Sequence, residues 1–218
     1  MVGSILLAFA IDAAWDARTE RREEGELVDA VLQEMGSNKA AIGSSLERIE
    51  ADRVLLARFL GSSNTSLLEL PPDSVRELVL SFAPPFFLLE PRVGASESLL
   101  AAGRLSSPGA KAVRRAAAEW LAASSNAVGE HEVLRVNGFE AVRLVARHAM
   151  TVDNRAEIRG LLSGVSSLGP NGVAILRNDL ELSALATQRV ALNSRYRSFL
   201  LGLADLADSV VVAGDRSN

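Results

Sequence analysis

The chain has 218 residues, of which 48% are hydrophobic and 23% are charged, and its formal net charge is -4 at pH 7. This composition is typical of one globular domain with a substantial core, and it excludes a disordered chain and a multi-span membrane protein. The negative charge argues against a nucleic-acid partner, and the lack of cysteine excludes disulfides and thiol chemistry.

An uncharged apolar run from Val2 to Ile11 opens the chain and is followed by a strongly charged segment. We interpret this junction as a membrane-to-water boundary, because aliphatic residues favour hydrocarbon, tryptophan prefers the headgroup layer and arginines meet phosphates. A spanning helix needs about 20 apolar residues, more than this run supplies. A signal-peptide h-region and a buried core helix are the alternatives. The residues expected at the membrane interface are Asp12, Trp15, Arg18, Arg21 and Arg22.

A long amphipathic helix is predicted from Glu20 to Leu60, continuous with the apolar start and ending at the Gly61 to Asn64 segment. Its apolar residues recur at steps of three and four, at Leu27, Val31, Met35, Ile42, Leu46, Ile49, Leu56 and Leu60. Polar residues take two positions of this seam, Asn38 or Lys39 and Arg53. Because a buried guanidinium needs a negative partner, Arg53 has either a structural role or an anion-binding role. In the structural role it extends to the bundle edge or pairs across helices and sets their register; in the other it binds a small anion.

Prolines delimit two short helices in the middle of the chain. Pro71-Pro72 opens the first, in which Ser74 and Glu77 have capping-box spacing, and Ala83-Pro84-Pro85 ends it. The second covers about Ala95 to Arg104. The apolar surface around the proline turn either covers the end of the bundle core or contacts a membrane or protein partner. The aromatic residues of that surface are Phe82, Phe86 and Phe87.

Ser107 and Pro108 are the residue types expected at the N-cap and first position of a helix. The apolar spacing that follows predicts one helix to about Met150. Asn137-Gly138 is a turn signal between strands, but the flanking residues do not alternate in polarity, so we expect a weakened helix to continue through it.

A short helix beginning at Asn154 and a connecting loop from Gly160 to Gly172 come next; the loop lacks the lysine and the flanking strand of a P-loop. The last helix is predicted from Asn178 to about Val212. Its seam has one charged residue, Arg189, for which the same two roles as for Arg53 are open. The predicted seam comprises Leu182, Leu185, Arg189, Leu192, Tyr196, Phe199, Leu203, Leu206 and Val210.

These elements predict an all-α fold, an antiparallel bundle of three long helices plus short ones, with the first helix extended into a membrane anchor. We assign residues 1–17 to the anchor, 18–213 to the bundle and 214–218 to a disordered tail. His131 and His148 each follow a valine by three residues, which excludes the Glu-x-x-His di-iron pattern, and no zinc, nucleotide or hydrolase motif occurs. We therefore expect no metal, no cofactor and no enzymatic activity.

The stretch SILLAFAIDAAWDARTERREE, with the ELVDAVLQEMGSNKAAI helix that follows, resembles the start of a bacterial family of uncharacterised membrane-anchored helical proteins. Ile5 to Asp16 are similar to the end of that family's single transmembrane helix, and Leu99 to Leu105 resembles its short second motif. The resemblance covers about the first 50 residues. It implies an N-terminal transmembrane helix in the bacterial inner membrane. Members of the family have more apolar residues before the position equivalent to Gly3 than this chain has. The resemblance implies no activity.

Together these features predict a single-pass or peripheral membrane protein that acts as a scaffold or assembly component and forms homo-oligomers. Small residues such as Gly3 and Ala10 would allow close helix approach. Arginines that follow the apolar run favour a cytoplasmic bundle if Met1 starts the chain. The alternative function is ligand sensing, with a small anion bound near Arg53 or Arg189. An interior cavity lined by these arginines would favour sensing, and a dry core would favour the scaffold.

Overall fold

The computed structural model describes residues 2–63, 65–66, 69, 71–82, 89–103, 105–151 and 176–215, and for residues 2–10 it describes the backbone alone. Over these ranges the regular secondary structure is helical and no strand occurs, which confirms the all-α prediction. The helices are α1 (Val2–Gly61), α2 (Pro72–Leu80), α3 (Gly94–Ala101), α4 (Pro108–Ser124), α5 (Ala127–Thr151) and α6 (Leu180–Asp215).

The first helix, α1, runs without interruption for 60 residues, as the sequence predicted. It ends at Gly61, where the N–H of Ser62 donates to the carbonyl of Arg58 at 3.0 Å. The helix has no acidic residue in its first turn. A favourable charge is present at the other end, where Arg58 lies in the last turn, but a helix of this length depends mainly on packing along its surface.

The predicted single helix from Pro108 to Met150 is wrong, because the chain turns at Ser125 and Asn126 and forms α4 and α5. Two serines compete with the helical hydrogen bonds at this point: Ser124 Oγ donates to the Leu121 carbonyl at 3.0 Å, and Ser125 Oγ donates to the Ala122 carbonyl at 2.8 Å. Asn137-Gly138 lies inside α5, as expected.

The starts of the other helices follow local capping chemistry. Ser107 Oγ accepts the N–H of Ala110 at 3.0 Å, which confirms the predicted start of α4. For α6 the N-cap is Asp179, one residue after the predicted Asn178, because its carboxylate accepts the N–H of Leu182 at 2.9 Å. Ser74 lies inside α2 and is not its N-cap.

Several predicted features lie outside the described residues. These are the helix at Asn154, the loop from Gly160 to Gly172, and Phe86 and Phe87. Gly214 and Asp215, which the sequence placed in a disordered tail, belong to α6.

The chain divides into two compact units, to both of which α1 and α6 contribute. Unit 1 comprises residues 1–43, 90–127 and 201–218, and unit 2 comprises residues 44–89 and 128–200.

Unit 1 has a core centred on the fully buried Trp120 of α4. Within this unit α1 and α6 are antiparallel, since Leu32 lies beside Gly214 and Lys39 pairs with Asp208. The buried apolar residues are Val28, Val31, Met35, Leu99, Leu105, Ala110, Val113, Ala117, Trp120, Ala207 and Val210.

Unit 2 has a core built around Phe59, whose ring meets that of Phe82 edge to face, with ring centroids 5.0 Å apart. In this unit α6 is antiparallel to α1, because Arg197 lies 4.0 Å from Glu50 while Arg177 donates to the Leu60 carbonyl at 3.0 Å. The buried residues are Leu56, Phe59, Leu78, Phe82, Ala141, Leu144, Val145, Leu176, Leu182 and Ala186.

The buried seam of α6 is a regular heptad pattern, but its centre is displaced from the predicted one. Leu185, Leu192, Phe199 and Leu206, which the sequence placed in the seam, are half-buried. Their neighbours Ala186, Asn193, Leu200 and Ala207 take the innermost positions. At the end of the helix the facing helix approaches closely, since a Cβ on Gly214 would lie 2.7 Å from a Leu32 methyl group. The observed seam is Leu182, Ala186, Arg189, Asn193, Tyr196, Leu200, Leu203, Ala207, Val210 and Gly214.

Candidate functional site

The start of α1 has no buried side chain between residues 11 and 23. Ile11 is 58% exposed and Trp15 is 71% exposed. An isolated helix of this length is only marginally stable in water, and packing of an apolar face normally stabilises it. Residues 11–23 therefore gain no such stabilisation from the described part of the chain. The predicted interface residues Asp12, Trp15, Arg18, Arg21 and Arg22 are all exposed in this segment.

Between residues 11 and 23 charges of opposite sign lie on different faces of the helix. Just beyond this segment Glu26 lies on the side of Arg22, whose Nε donates to Glu26 Oε1 at 3.0 Å. At about 100° of rotation per residue, Ile11, Trp15, Arg18 and Arg22 share one face, with Arg21 at its edge. We call these four residues the basic-aromatic face. The opposite face carries the carboxylates Asp12, Asp16, Glu20 and Glu23. Asp12 is therefore separated from the other predicted interface residues by the helical geometry.

A helix that crosses a bilayer needs about 20 consecutive, mainly apolar residues. Across the described residues, no helix contains a stretch apolar and long enough to cross a membrane.

Arg53 lies on the surface of α1 and not in its seam. Its guanidinium donates from Nε to Glu50 Oε2 at 3.0 Å and from Nη2 to Glu50 Oε1 at 2.6 Å, and this hydrogen bonding lowers the pKa of Glu50. This position at the edge is one of the structural alternatives expected for Arg53. Asp52, its neighbour, takes the inward position.

Arg189 is buried in unit 2, as its seam position predicted. Its Nη1 donates to the carbonyl of Leu134 on α5. Burial lowers the pKa of Arg189 to about 10, although the negative charge of Asp52 acts in the opposite direction. Burial likewise raises the pKa of Asp52 against the effect of Arg189 and Arg48. The carboxylate that a buried guanidinium needs thus comes from α1 of the same chain.

Unit 2 contains further buried polar side chains, His131, Asn137, Asn193 and Tyr196, of which only Tyr196 was predicted to lie in a seam. Asn137 donates from Nδ2 to Gln188 Oε1 at 3.2 Å, and burial raises the pKa of Tyr196. The burial of Asn193 was partly predictable from the sequence, because Asn193 is adjacent to the predicted seam residue Leu192.

In unit 1 the polar seam residues of α1 bind the backbone of the segment between residues 90 and 107. Glu34 caps α3: Oε2 accepts the N–H of Ala95 at 2.7 Å, and Oε1 accepts the N–H and the hydroxyl of Ser96 at 3.0 and 2.6 Å. The N-terminus of α3, where an external anion could bind, is thus occupied by a carboxylate of the chain itself.

Two further side chains of α1 complete this arrangement. Asn38 accepts the N–H of Arg92 at 2.8 Å and donates to the carbonyl of the same residue at 2.9 Å. Glu24 accepts the N–H of Ser106 and, at 3.0 Å, the N–H of Ser107. The burial of Glu24 raises its pKa, but these hydrogen bonds outweigh burial and the net pKa is lowered. The buried side chains of Glu24, Glu34 and Asn38 on α1 therefore stabilise the fold of unit 1 through hydrogen bonds to its backbone.

The lowered pKa of Glu24 predicts acid sensitivity of unit 1. The ionised carboxylate contributes stability above its ordinary pKa of 4.5, and that stability is lost as the pH falls through the lower pKa of the folded state. Urea unfolding from pH 7 to below 4.5 should therefore show a smaller loss of stability for Glu24→Gln than for the unchanged protein. An equal loss in both proteins would show that Glu24 is not involved. Glu23→Gln, on the exposed face, is the matched control.

Phe82 is buried against Phe59, as expected if this apolar surface covers the end of a core. Two surface cavities of ≈ 560 and ≈ 540 Å³ are described in unit 1. Arg115 borders both, whereas neither is lined by Arg53 or Arg189. Within the described residues no group of three His, Cys, Asp or Glu side chains could hold a metal ion.

Comparisons with protein families, curated proteins and solved structures found no match. The geometry of the described residues is therefore the basis for a functional proposal. Of the predicted site residues, Trp15, Arg18 and Arg22 are brought together on one exposed face, whereas Arg53 and Arg189 lie apart and each has a carboxylate of the chain beside it.

Proposed function

We propose that the protein is a helical scaffold attached to the bacterial inner membrane, acting through protein contacts and self-association. The basic-aromatic face of α1 is its membrane-binding surface in this proposal. The observation that carries it is the exposure of Ile11 and Trp15 on a helical segment with no buried side chain.

The chemistry of the basic-aromatic face supports binding at the headgroup layer. Tryptophan is enriched at that depth, aliphatic side chains partition below it, and each arginine near an anionic surface contributes about 1 kcal/mol. The carboxylates on the opposite face of the same segment would point away from anionic lipid. A helix lying in the interface plane needs this separation of charges.

The pairing of charged groups within the chain supports a scaffold more than a sensor of small anions. Glu34 and Glu24 bind backbone N–H groups, Asp52 lies beside Arg189, and Glu50 pairs with Arg53. Each of these interactions satisfies a charged group within the chain. Neither arginine proposed as an anion ligand is thus presented to an external anion.

Vesicle binding by the full chain tests the proposal. The chain has two tryptophans, of which Trp15 is exposed and Trp120 is buried. We expect vesicles containing phosphatidylglycerol to shift the tryptophan emission to shorter wavelength, and Trp15→Phe to remove the shift while retaining vesicle binding. Replacing Arg18 and Arg22 with glutamine should weaken binding by about 2 kcal/mol, close to 30-fold in the binding constant.

The control variant is Val54→Ser, which removes an apolar side chain from another part of α1. Val54 is 53% exposed, close to the 58% of Ile11. The variant should bind vesicles as well as the unchanged protein does. Binding that is independent of Arg18 and Arg22, or an emission shift that persists in Trp15→Phe, would contradict attachment through the basic-aromatic face.

A further inference from the structure

An open cavity on the surface of unit 1 has a basic lining. Its volume is ≈ 540 Å³, and it is bordered by Lys111, Arg114 and Arg115 of α4, with Ala118 of α4 and Leu100 of α3 beside them. Among the described residues that line it, none is acidic. The volume is within the range of small-molecule sites, and a cavity lined by one sign of charge attracts ligands of the opposite sign. We call Lys111, Arg114 and Arg115 the basic cluster.

The basic cluster concentrates positive charge in a chain whose net charge is -4. In the described part of the chain, α4 is the one helix that has more basic than acidic residues. Steps of three and four residues place the three side chains on the same face of α4. They lie in its first half, and its last turn has no basic residue. Since the helix dipole favours basic residues at the opposite end, the stability of α4 does not explain their position.

Two members of the basic cluster are held in place by backbone carbonyls. Arg114 donates from Nη2 to the carbonyl of Leu100 at 2.7 Å and from Nη1 to that of Gly103 at 3.1 Å. Lys111 Nζ donates to the carbonyl of Ser106 at 3.2 Å. A guanidinium has five N–H groups and an ammonium has three, so both side chains retain donors for a further acceptor. Because these contacts already order them, binding of an anion costs little further side-chain entropy.

The third member, Arg115, is exposed and has no such contact. Within the described residues its guanidinium forms neither a hydrogen bond nor an ion pair. Glu119, four residues later, lines the adjoining cavity of ≈ 560 Å³ together with Arg115. Arg115 thus differs from Arg53 and Arg189, each of which has a carboxylate of the chain beside it. All five of its N–H groups are available, and a planar guanidinium can bind a phosphate through two parallel hydrogen bonds.

We propose that the basic cluster binds the phosphate group of a small organic ester, with Leu100 and Ala118 beside the organic part of the ligand. A phosphate monoester carries a charge of about −1.5 to −2 at pH 7 and has three strong acceptor oxygens, which suits three cations around one cavity. The ester is either a soluble molecule or a lipid headgroup. This inference goes beyond the proposed function, because it concerns α4 and does not depend on the basic-aromatic face.

Calorimetric titration of the full chain with glycerol 3-phosphate tests the inference. We expect saturable binding of this ester and no binding of glycerol. Arg115→Gln should weaken binding of the ester about tenfold or more, since it removes a charge-assisted contact. Arg58→Gln is the matched control, because Arg58 is also an exposed arginine that forms no ion pair within the described residues. It removes the same charge and should leave the affinity unchanged.

Vesicles that contain phosphatidic acid distinguish the two sources of the phosphate. Weaker vesicle binding by Arg115→Gln identifies a lipid headgroup, and unchanged vesicle binding identifies a soluble ester. Two results would overturn the inference: glycerol 3-phosphate that does not bind at millimolar concentrations, or equal losses of affinity in Arg115→Gln and Arg58→Gln, which indicate attraction to the overall charge alone. Neither result affects the proposed membrane attachment, whose test depends on Trp15, Arg18 and Arg22.

Discussion

Replacing Leu200 with alanine is expected to destabilise the protein by about 2–5 kcal/mol, the usual range for a fully buried leucine. Leu200 is fully buried, and alanine would leave a cavity in the seam of α6. The adjacent Leu201 is 39% exposed and provides a matched control on the same turn of the same helix. Leu201→Ala should change stability by less than about 1 kcal/mol. Denaturant unfolding with both variants measures the difference.

The same experiment distinguishes the observed heptad register from the predicted one. The predicted seam places Phe199 inside, where a change to alanine would cost about 3–5 kcal/mol. Because Phe199 is half-buried beside Tyr196, with ring centroids 6.1 Å apart, Phe199→Ala should cost less than about 3 kcal/mol. A cost for Phe199→Ala above that of Leu200→Ala would favour the predicted register.

Replacing Glu34 with alanine is expected to destabilise unit 1 by about 2–4 kcal/mol, since each buried donor left without an acceptor costs about 1–3 kcal/mol. The N–H groups of Ala95 and Ser96 would lose their partner, and the first turn of α3 would lose its cap. Unfolding in urea, followed by the emission of the buried Trp120, measures the effect in this unit, with Trp15→Phe as the background so that Trp120 alone emits.

Glu23→Ala is the matched control for Glu34→Ala, because Glu23 is an exposed carboxylate on the same helix. Its change in stability should stay within about 0.5 kcal/mol. Equal effects of the two changes would show that the hydrogen bonds of Glu34 contribute nothing beyond those of a surface charge.

The periodic spacing of apolar residues in the sequence determined the positions of most helices. Apolar residues at steps of three and four predicted α1 and most of α6 closely. Each helix has to bury a stripe of its own surface, and the local spacing of apolar residues shows where that stripe lies. The start of α4 was equally local, since Ser107 and Pro108 satisfy the first turn without help from distant residues. The exposed position of Trp15 and the neighbouring arginines also followed from the local pattern.

Only the tertiary structure decided which edge of each stripe lies innermost. An apolar stripe is about three residues wide at each turn, so periodicity alone does not distinguish Phe199 from Leu200 or Arg53 from Asp52. The choice depends on what the facing helix presents: Arg189 brings Asp52 inward, and α3 brings its N–H groups to Glu34. These contacts join residues that are far apart in the chain, so the spacing of apolar residues within one helix does not predict them.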